Sequence, residues 1–590
     1  MEAISQQHAL YTYISTKAAY DPVSTIYVCA PQRDAATWES AQRFALASGW
    51  QAAAEAGGAV LVLPLAPGGW AAEKVSLLPE IYAETKNRFP TKSGKSLAGR
   101  GGFLWCWETL LYLVGYEEGA AFAGDTLAAY PNRFAAAALV NGVPGDYSRA
   151  DAPSDHWLVS GVSSAYRMRN REVAVCLWLL HRDAEATRQA ADYFRQSCGA
   201  VQTPQMEKIS GIPAAVYKNP ENAARQVRVS VGDFTSEPAL AQTLWQRLFA
   251  GVIRWKNGPD GGLSPLLRPK ALEQAGGFVR DTALYQGRTY GYYVHLPRGM
   301  EAAEAAGLPL VFSVHGRGEP AWMFAQKNGW AELADETREF ILAVPDSPEN
   351  IWCLERDGGV FGQMIGQLAA RYHIDRTRVY LTGFSNGGMI AREVGTRWPQ
   401  LFAALSPWNA PAASTAQLLA GAPAGGMGEG AVDAGFAAGG WQQPCFIYAG
   451  DKDPAAPCTE QALLRQMLLA NGCTVRPTGR DLPAFAPDAV YTGENHYTPE
   501  RGYPAGERLT AYGYHDAAGH PKVCLTVLRD MPHGAVHEES RAAWEFLRRW
   551  RRPDGGTQVE FIPDAPAQPG PGVLKPAGPF TALKLKGGAL

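Results

Sequence analysis

Ser385 lies in the run Gly383-Phe384-Ser385-Asn386-Gly387-Gly388, between the apolar segment Val379-Tyr380-Leu381 and a helix-compatible segment from Met389 to Arg397. A serine on so tight a strand-to-helix bend presents its hydroxyl at the end of a sheet. Glycines flank it because side chains there would collide with the neighbouring strand and helix. A hydroxyl is a weak nucleophile unless a base takes its proton, an acid orients that base, and dipoles stabilise the oxyanion that forms. A chance G-x-S-x-G is common, so the reading depends on finding those partners.

The acid belongs after a later strand. Cys445-Phe446-Ile447-Tyr448-Ala449 runs into Gly450-Asp451-Lys452-Asp453-Pro454, where Asp453 is the expected acid and Asp451 the expected turn former. The base belongs after the last strand. Val523 to Leu528 runs into Arg529-Asp530-Met531-Pro532-His533-Gly534, with His533 at the strand end and His537 one helical turn later as the alternative. The order Ser385, Asp453, His533 is the one a nucleophile elbow of this kind imposes. For the oxyanion, the strand Pro309 to Val314 leads into His315-Gly316-Arg317-Gly318, which points to the backbone N–H groups of Arg317 and Asn386 as donors. His315, Trp352 and Trp408 are candidates for the substrate-facing wall, Trp408 because it follows the strand after the nucleophile helix. Against that, the His315 ring is suited to bracing its loop, and the tryptophans, Trp330 included, could instead pack the core.

Competing chemistries fare worse. His533-x-x-x-His537 has zinc-like spacing but lacks the glutamate of H-E-x-x-H, and no CxxC pair occurs among the nine cysteines, so no metal is expected. The cysteines read as buried free thiols, with Cys445 and Cys458 the pair able to bridge in an oxidising compartment. Lys92-Ser93-Gly94-Lys95-Ser96 resembles the end of a phosphate loop, but Phe89 stands where its first glycine belongs. Acyl transfer to water needs no cofactor.

The elements that must hold these residues occur twice. LVGYEEGAAFAGDTLAAYPNRFAAAALVNGVP at 113–144 parallels LTGFSNGGMIAREVGTRWPQLFAALSPWNAP at 381–411. SGWQAAAEAGGAVLVLPL at 48–65 parallels NGWAELADETREFILAVP at 328–345, with Trp70 and Trp352 a few residues on. The segments 173–194 and 444–464, then 226–234 and 522–531, continue the series in the same order. Four ordered strand-and-helix pairs predict a duplicated α/β domain, each copy a mostly parallel sheet flanked by helices. The expected boundaries are 1–265 and 270–555, with a Pro/Gly-rich extended tail at 556–590. A Gly/Ala-rich stretch at 412–440 interrupts the second copy, either as a lid or as a loose insertion.

The first copy lacks the chemistry. Gly115-Tyr116-Glu117-Glu118-Gly119 puts a carboxylate where the hydroxyl belongs, and Gly232-Asp233-Phe234-Thr235-Ser236 has no histidine. Asp183 is the one residue that could survive from a triad. Glu117 reads as a relic at a bend, with a general base or a cation ligand as the alternative.

Length and composition frame this. A chain of 590 residues exceeds one core, and a net charge of −3 without a basic block argues against nucleic-acid or anionic-membrane partners. Neither a secretory leader nor an 18-residue apolar run is visible, so the expected location is cytoplasmic, and homo-oligomer formation is left open.

The run GRTYGYYVHLPRG, then LPLVFSVHGRG, YHIDRTRVYLTGFSNGGMIA, AGDKDP, and MPH with a closing AWEFLRRW, over about 277–550, resembles the polyhydroxybutyrate-depolymerase and feruloyl-esterase-like branch of the α/β-hydrolase superfamily. With the internal repeat, the resemblance implies two tandem α/β-hydrolase-type domains, the first degenerate. It implies carboxylic-ester cleavage through an acyl-enzyme on Ser385, with His533 and Asp453 completing the triad. Where many relatives carry a cysteine after His-Gly, this chain has Arg317. A serine exopeptidase or amidase shares fold and triad, and a non-catalytic binding scaffold is the remaining alternative.

Overall fold

The computed structural model describes residues 4–18, 22–92, 101–154, 168–255, 262–411, 413–420, 436, 439–450, 453, 462–473, 488–493, 509–528, 533–535, 538–553 and 556–563. The chain divides into two compact units, Met1–Leu266 and Leu267–Leu590.

In the first unit the strands are β1 (Leu10–Ile14), β2 (Val23–Cys29), β3 (Val60–Pro64), β4 (Cys106–Tyr116), β5 (Ala136–Val140), β6 (Cys176–His181), β7 (Gln205–Ile209), β8 (Ile212–Lys218) and β9 (Gln226–Val231). They form one sheet in the order β1-β3-β2-β4-β5-β6-β9-β8-β7. The stretch from β3 to β9 is parallel, while β1 and the β7–β8 hairpin are antiparallel additions at the edges. A small ribbon of β10 (Val252–Arg254) and β11 (Leu263–Pro265) follows.

The second unit repeats the plan with β12 (Phe278–Tyr285), β13 (Arg288–His295), β14 (Leu310–Val314), β15 (Ile341–Pro345), β16 (Val379–Phe384), β17 (Ala404–Trp408), β18 (Cys445–Gly450), β19 (Asp488–Gly493), β20 (Leu509–His515) and β21 (Pro521–Leu528). Its order is β12-β13-β15-β14-β16-β17-β18-β21-β20-β19. Leaving out β12, the sequence of strands is that of the first unit. Register repeats as well: Gly115 pairs with Leu139 across β4 and β5, and Gly383 with Pro407 across β16 and β17. Both units are α/β, each a mostly parallel sheet flanked by helices.

The central strands read as unbroken apolar runs, VLVLP in β3 and ILAVP in β15, because helices cover both faces of a parallel sheet. Alternate residues of β14 therefore enter different cores. Leu310, Phe312 and Val314 pack with Phe361, Ile390 and Val394 on one face, and Val311 packs with Trp330, Trp408 and Trp544 on the other. The edge hairpins had no sequence counterpart in the repeat, since strands such as β7 are half exposed and carry no apolar run.

Of the stretch expected as a tail, Glu560–Phe561 pairs with Trp550–Arg551, and the Phe561 ring packs on Trp550 and stacks on His520, so 556–563 docks on its unit. In the 412–440 insertion a short helix, Thr415–Leu419, is capped by Ser414; residues 421–435 lie outside the described residues. Ser93 to Ser96 and Cys458 do too.

Candidate active site

The bend after β16 is built by sterics. Ser385 adopts φ 56°, ψ −118°, between β16 and the helix Asn386–Arg397. Its backbone N–H donates to Trp408 O at 2.8 Å, which ties the bend to β17. A Cβ on Gly387 would sit 2.1 Å from Val314 O, and one on Gly383 would sit 2.4 Å from Gly387 O. Only glycine lets the helix start this close to β14, and that closeness forces the serine into a conformation side chains rarely adopt.

His533, after β21, meets the bend from the other side. Its Nε2 lies 2.8 Å from Ser385 Oγ, and its Nδ1 lies 2.8 Å from Asp453 Oδ2. A carboxylate can only accept, so Nδ1 carries the proton and Nε2 accepts from the serine hydroxyl. Asp453 is fully buried and His533 about one-third exposed, so the open side of the row is at the imidazole and serine. The Phe384 ring packs on the His533 ring at 4.9 Å. Asp451 and His537, the alternatives, lie outside the described residues.

Around the serine, Asn386 begins the helix, so its backbone N–H points out of the helix start. Its side chain is committed elsewhere: Oδ1 accepts from Trp352 N at 2.7 Å and Nδ2 donates to Trp352 O at 3.1 Å. Arg317 occupies the turn after β14, and burial holds its guanidinium below the usual arginine range. Gly318 N donates to Asn350 O at 2.6 Å, and a buried Lys327–Glu319 ion pair of 3.1 Å pins the far end of this turn. The Lys327 ammonium also lies 4.6 Å from the centre of the Phe384 ring, so the turn is packed against the serine bend.

Three expected substrate contacts are corrected. His315 is fully buried; its Nδ1 lies 2.7 Å from Gly316 O, and its Nε2 accepts from Ser347 N at 3.0 Å. Burial pushes this histidine down to about 4, so the ring is neutral and braces its loop. Trp352 and Trp408 are also fully buried, as is Trp330. Trp352 packs beside His315 and Phe361, while Trp408 stacks on Trp330 and donates Nε1–H to Ser406 Oγ at 2.8 Å. Following a strand to its C-terminal end placed these residues near the site, but sheet faces sent their rings into the two cores.

One neighbour escaped the sequence reading. Asn409 donates from Nδ2 to Asp453 Oδ2 at 2.8 Å. Its signal was weak, a polar residue closing the apolar run of β17.

The first unit keeps the bend, with Glu117 at its apex. Glu117 has φ 52°, ψ −121°, nearly the values of Ser385. Both of its carboxylate oxygens accept from the Arg33 guanidinium, at 2.8 and 3.2 Å. Asp183 caps the helix Ala184–Ser197 by accepting from Glu185 N at 2.9 Å. It serves as a helix cap.

No protein-family model matches the chain. It is 29% identical over 137 residues to a bifunctional acetylxylan esterase/xylanase of Neocallimastix patriciarum, a stretch covering 22% of this chain and 20% of that protein. It is 28% identical over 126 residues to acetylxylan esterase A of Emericella nidulans, covering 19% and 40%. It is 27% identical over 129 residues to poly(3-hydroxyalkanoate) depolymerase C of Paucimonas lemoignei, covering 20% and 30%. The chain thus spans less than half the length of these relatives. Among solved structures, an acetyl xylan esterase from Aspergillus awamori aligns over 43% of this chain and 93% of its own at 15% identity, TM-score 0.31. Est1E from Butyrivibrio proteoclasticus aligns over 46% and 97% at 14% identity, TM-score 0.28. These include the esterase and depolymerase classes that the motifs around Ser385 resemble. No described helix is long and apolar enough to cross a membrane.

Proposed function

We propose that the second unit is a serine esterase that cleaves carboxylic esters through an acyl-enzyme on Ser385. The observation that carries this is the unbroken row of Ser385 Oγ, His533 and Asp453, joined by two 2.8 Å contacts at a strained bend. In the reaction Ser385 Oγ attacks the ester carbonyl while its proton passes to His533 Nε2. The carbonyl oxygen becomes an oxyanion, taken up by the backbone N–H groups of Asn386 and Arg317. Nε2 then returns the proton to the leaving alkoxide, the acyl group stays on Oγ, and water repeats the cycle to release the acid. Positioned proton transfer of this kind contributes about 10²- to 10⁴-fold, and each oxyanion donor about 10²- to 10³-fold.

Acetylxylan and polyhydroxyalkanoate esters are the substrate classes that the curated relatives suggest. Trp352 and Trp408 lie in the core and do not form a wall against the substrate. The described cysteines are free and buried, which suits a reducing compartment and a cytoplasmic location.

The test is covalent labelling by a fluorophosphonate. The intact chain is expected to label, and Ser385→Ala to abolish labelling together with p-nitrophenyl acetate hydrolysis. Faster turnover of aminoacyl anilides than of matched p-nitrophenyl esters would reassign it as an amidase. Folded protein that neither labels nor hydrolyses either substrate would make it a binding scaffold.

A further inference from the structure

The residue that leaves β17 has no step in the proposed reaction, yet it touches the acid. Asn409 is fully buried, with φ 46°, and its backbone N–H donates to Tyr448 O at 2.7 Å. Its Nδ2 donates to Asp453 Oδ2 at 2.8 Å, the same oxygen that lies 2.8 Å from His533 Nδ1. We propose that Asn409 is a positioning residue for hydrolysis, its amide holding the Asp453 carboxylate in the orientation that meets His533. The inference rests on the esterase reading above.

The first unit separates the backbone role from the side-chain role. Asn141 occupies the equivalent place: Val140 pairs with Leu180 as Trp408 pairs with Tyr448, Asn141 has φ 56°, and its N–H donates to Leu180 O at 2.9 Å. A left-handed backbone favours asparagine or glycine at both sites, so residue type alone says little. The amides differ in what they hold. Asn141 Nδ2 donates to Phe234 O at 2.7 Å, in the unit without a triad, whereas Asn409 Nδ2 takes the carboxylate.

A short carboxylate turns about two bonds, and a single bond to an imidazole does not fix both. Asn409, fastened to the sheet through its own backbone, restricts that freedom. Asn409 Oδ1 is buried without a hydrogen-bond partner among the described residues, and so is Asn141 Oδ1, so that cost goes with the shared backbone position and the amide's partner is what sets the two apart.

Two effects of removing the amide have opposite signs. Losing a neutral donor leaves more charge on Oδ2 and raises the basicity of His533 slightly. Losing the aim weakens the contact that stabilises the imidazolium and lowers it. A positioning role predicts the second.

Asn409→Gly removes the amide and keeps the positive φ available. With p-nitrophenyl acetate, kcat is expected to fall about 10- to 100-fold with KM within about 3-fold, and the acid limb of kcat/KM to move down by about half a pH unit or more. Any other combination overturns the proposal, including a lost kcat with an unmoved or raised limb. Asn409→Ser, judged by the same criteria, replaces it should the glycine variant not fold. Fluorophosphonate labelling of the unaltered chain is measured first. Without it the esterase reading fails; with it, a variant that behaves like the parent sinks only the role of Asn409.

Discussion

Two histidines in one unit show how burial sorts the same side chain into different work. His533 keeps about a third of its side chain exposed between a carboxylate and a hydroxyl, while His315 is sealed and neutral, accepting from Ser347 N. Because burial brings His315 down to about 4 from its ordinary 6.5, the folded protein binds this proton less well than the unfolded chain does. Its contribution to stability is therefore complete above about pH 6.5 and is lost as the pH falls toward 4. His315→Gln is expected to be less stable at pH 7.5. Its loss of stability between pH 7.5 and 4.5, from urea unfolding at each pH, should be smaller than the parent's by about 2–3 kcal/mol. Equal losses in the two proteins would show that the ring is not held neutral. At this scale the sequence supplied identities: Ser385, Asp453 and His533 were legible because each follows an apolar strand in the order the chemistry requires. Asn409 was not legible, since its partner is 44 residues away and only the sheet brings the two together.

The bend that carries Ser385 is an assembly of β14, β16, β17 and the helix Asn386–Arg397. Its constraint is the contact between Gly387 and the carbonyls of Val314 and His315. Gly387→Ala would place a Cβ 2.1 Å from one oxygen and 2.5 Å from the other, so the helix must back away from β14. That shift moves Ser385 Oγ off Nε2. A loss of kcat/KM of about 100-fold or more and of stability by about 2–4 kcal/mol is expected from assay and urea unfolding. Gly366→Ala is the control, because a Cβ there meets nothing within 4 Å and the site is mid-helix. It should gain about 0.5–1 kcal/mol with activity unchanged. Elements were legible where they were apolar and central. The edge hairpin β7–β8 was not, because a half-solvated strand carries no run to recognise. The tryptophans fell between: their position along a strand was readable, but the face each ring takes depends on what packs there.

Across the whole molecule, one strand order occurs twice, and so does one strained bend, at Glu117 and at Ser385. The repeat of apolar strands forecast that duplication. The bend has the same geometry with Glu or Ser at its apex because glycines and sheet register impose it. Restoring the apex alone should therefore restore nothing. Glu117→Ser in a Ser385→Ala background is expected to remain unlabelled by fluorophosphonate, since the loop after β9 offers no histidine and Asp183 is occupied as a helix cap. Labelling of that double variant would mean the first unit keeps a base that its described residues do not reveal. By itself the sequence determined the architecture, its duplication and the three candidate reactive residues, because strand-and-turn patterns are local and are written in residue type. Tertiary structure decided which aromatic rings are core and not pocket, which amide steadies the acid, and that Glu117 pairs with Arg33. Each of those depends on a contact between segments far apart in the chain, and only packing sets it.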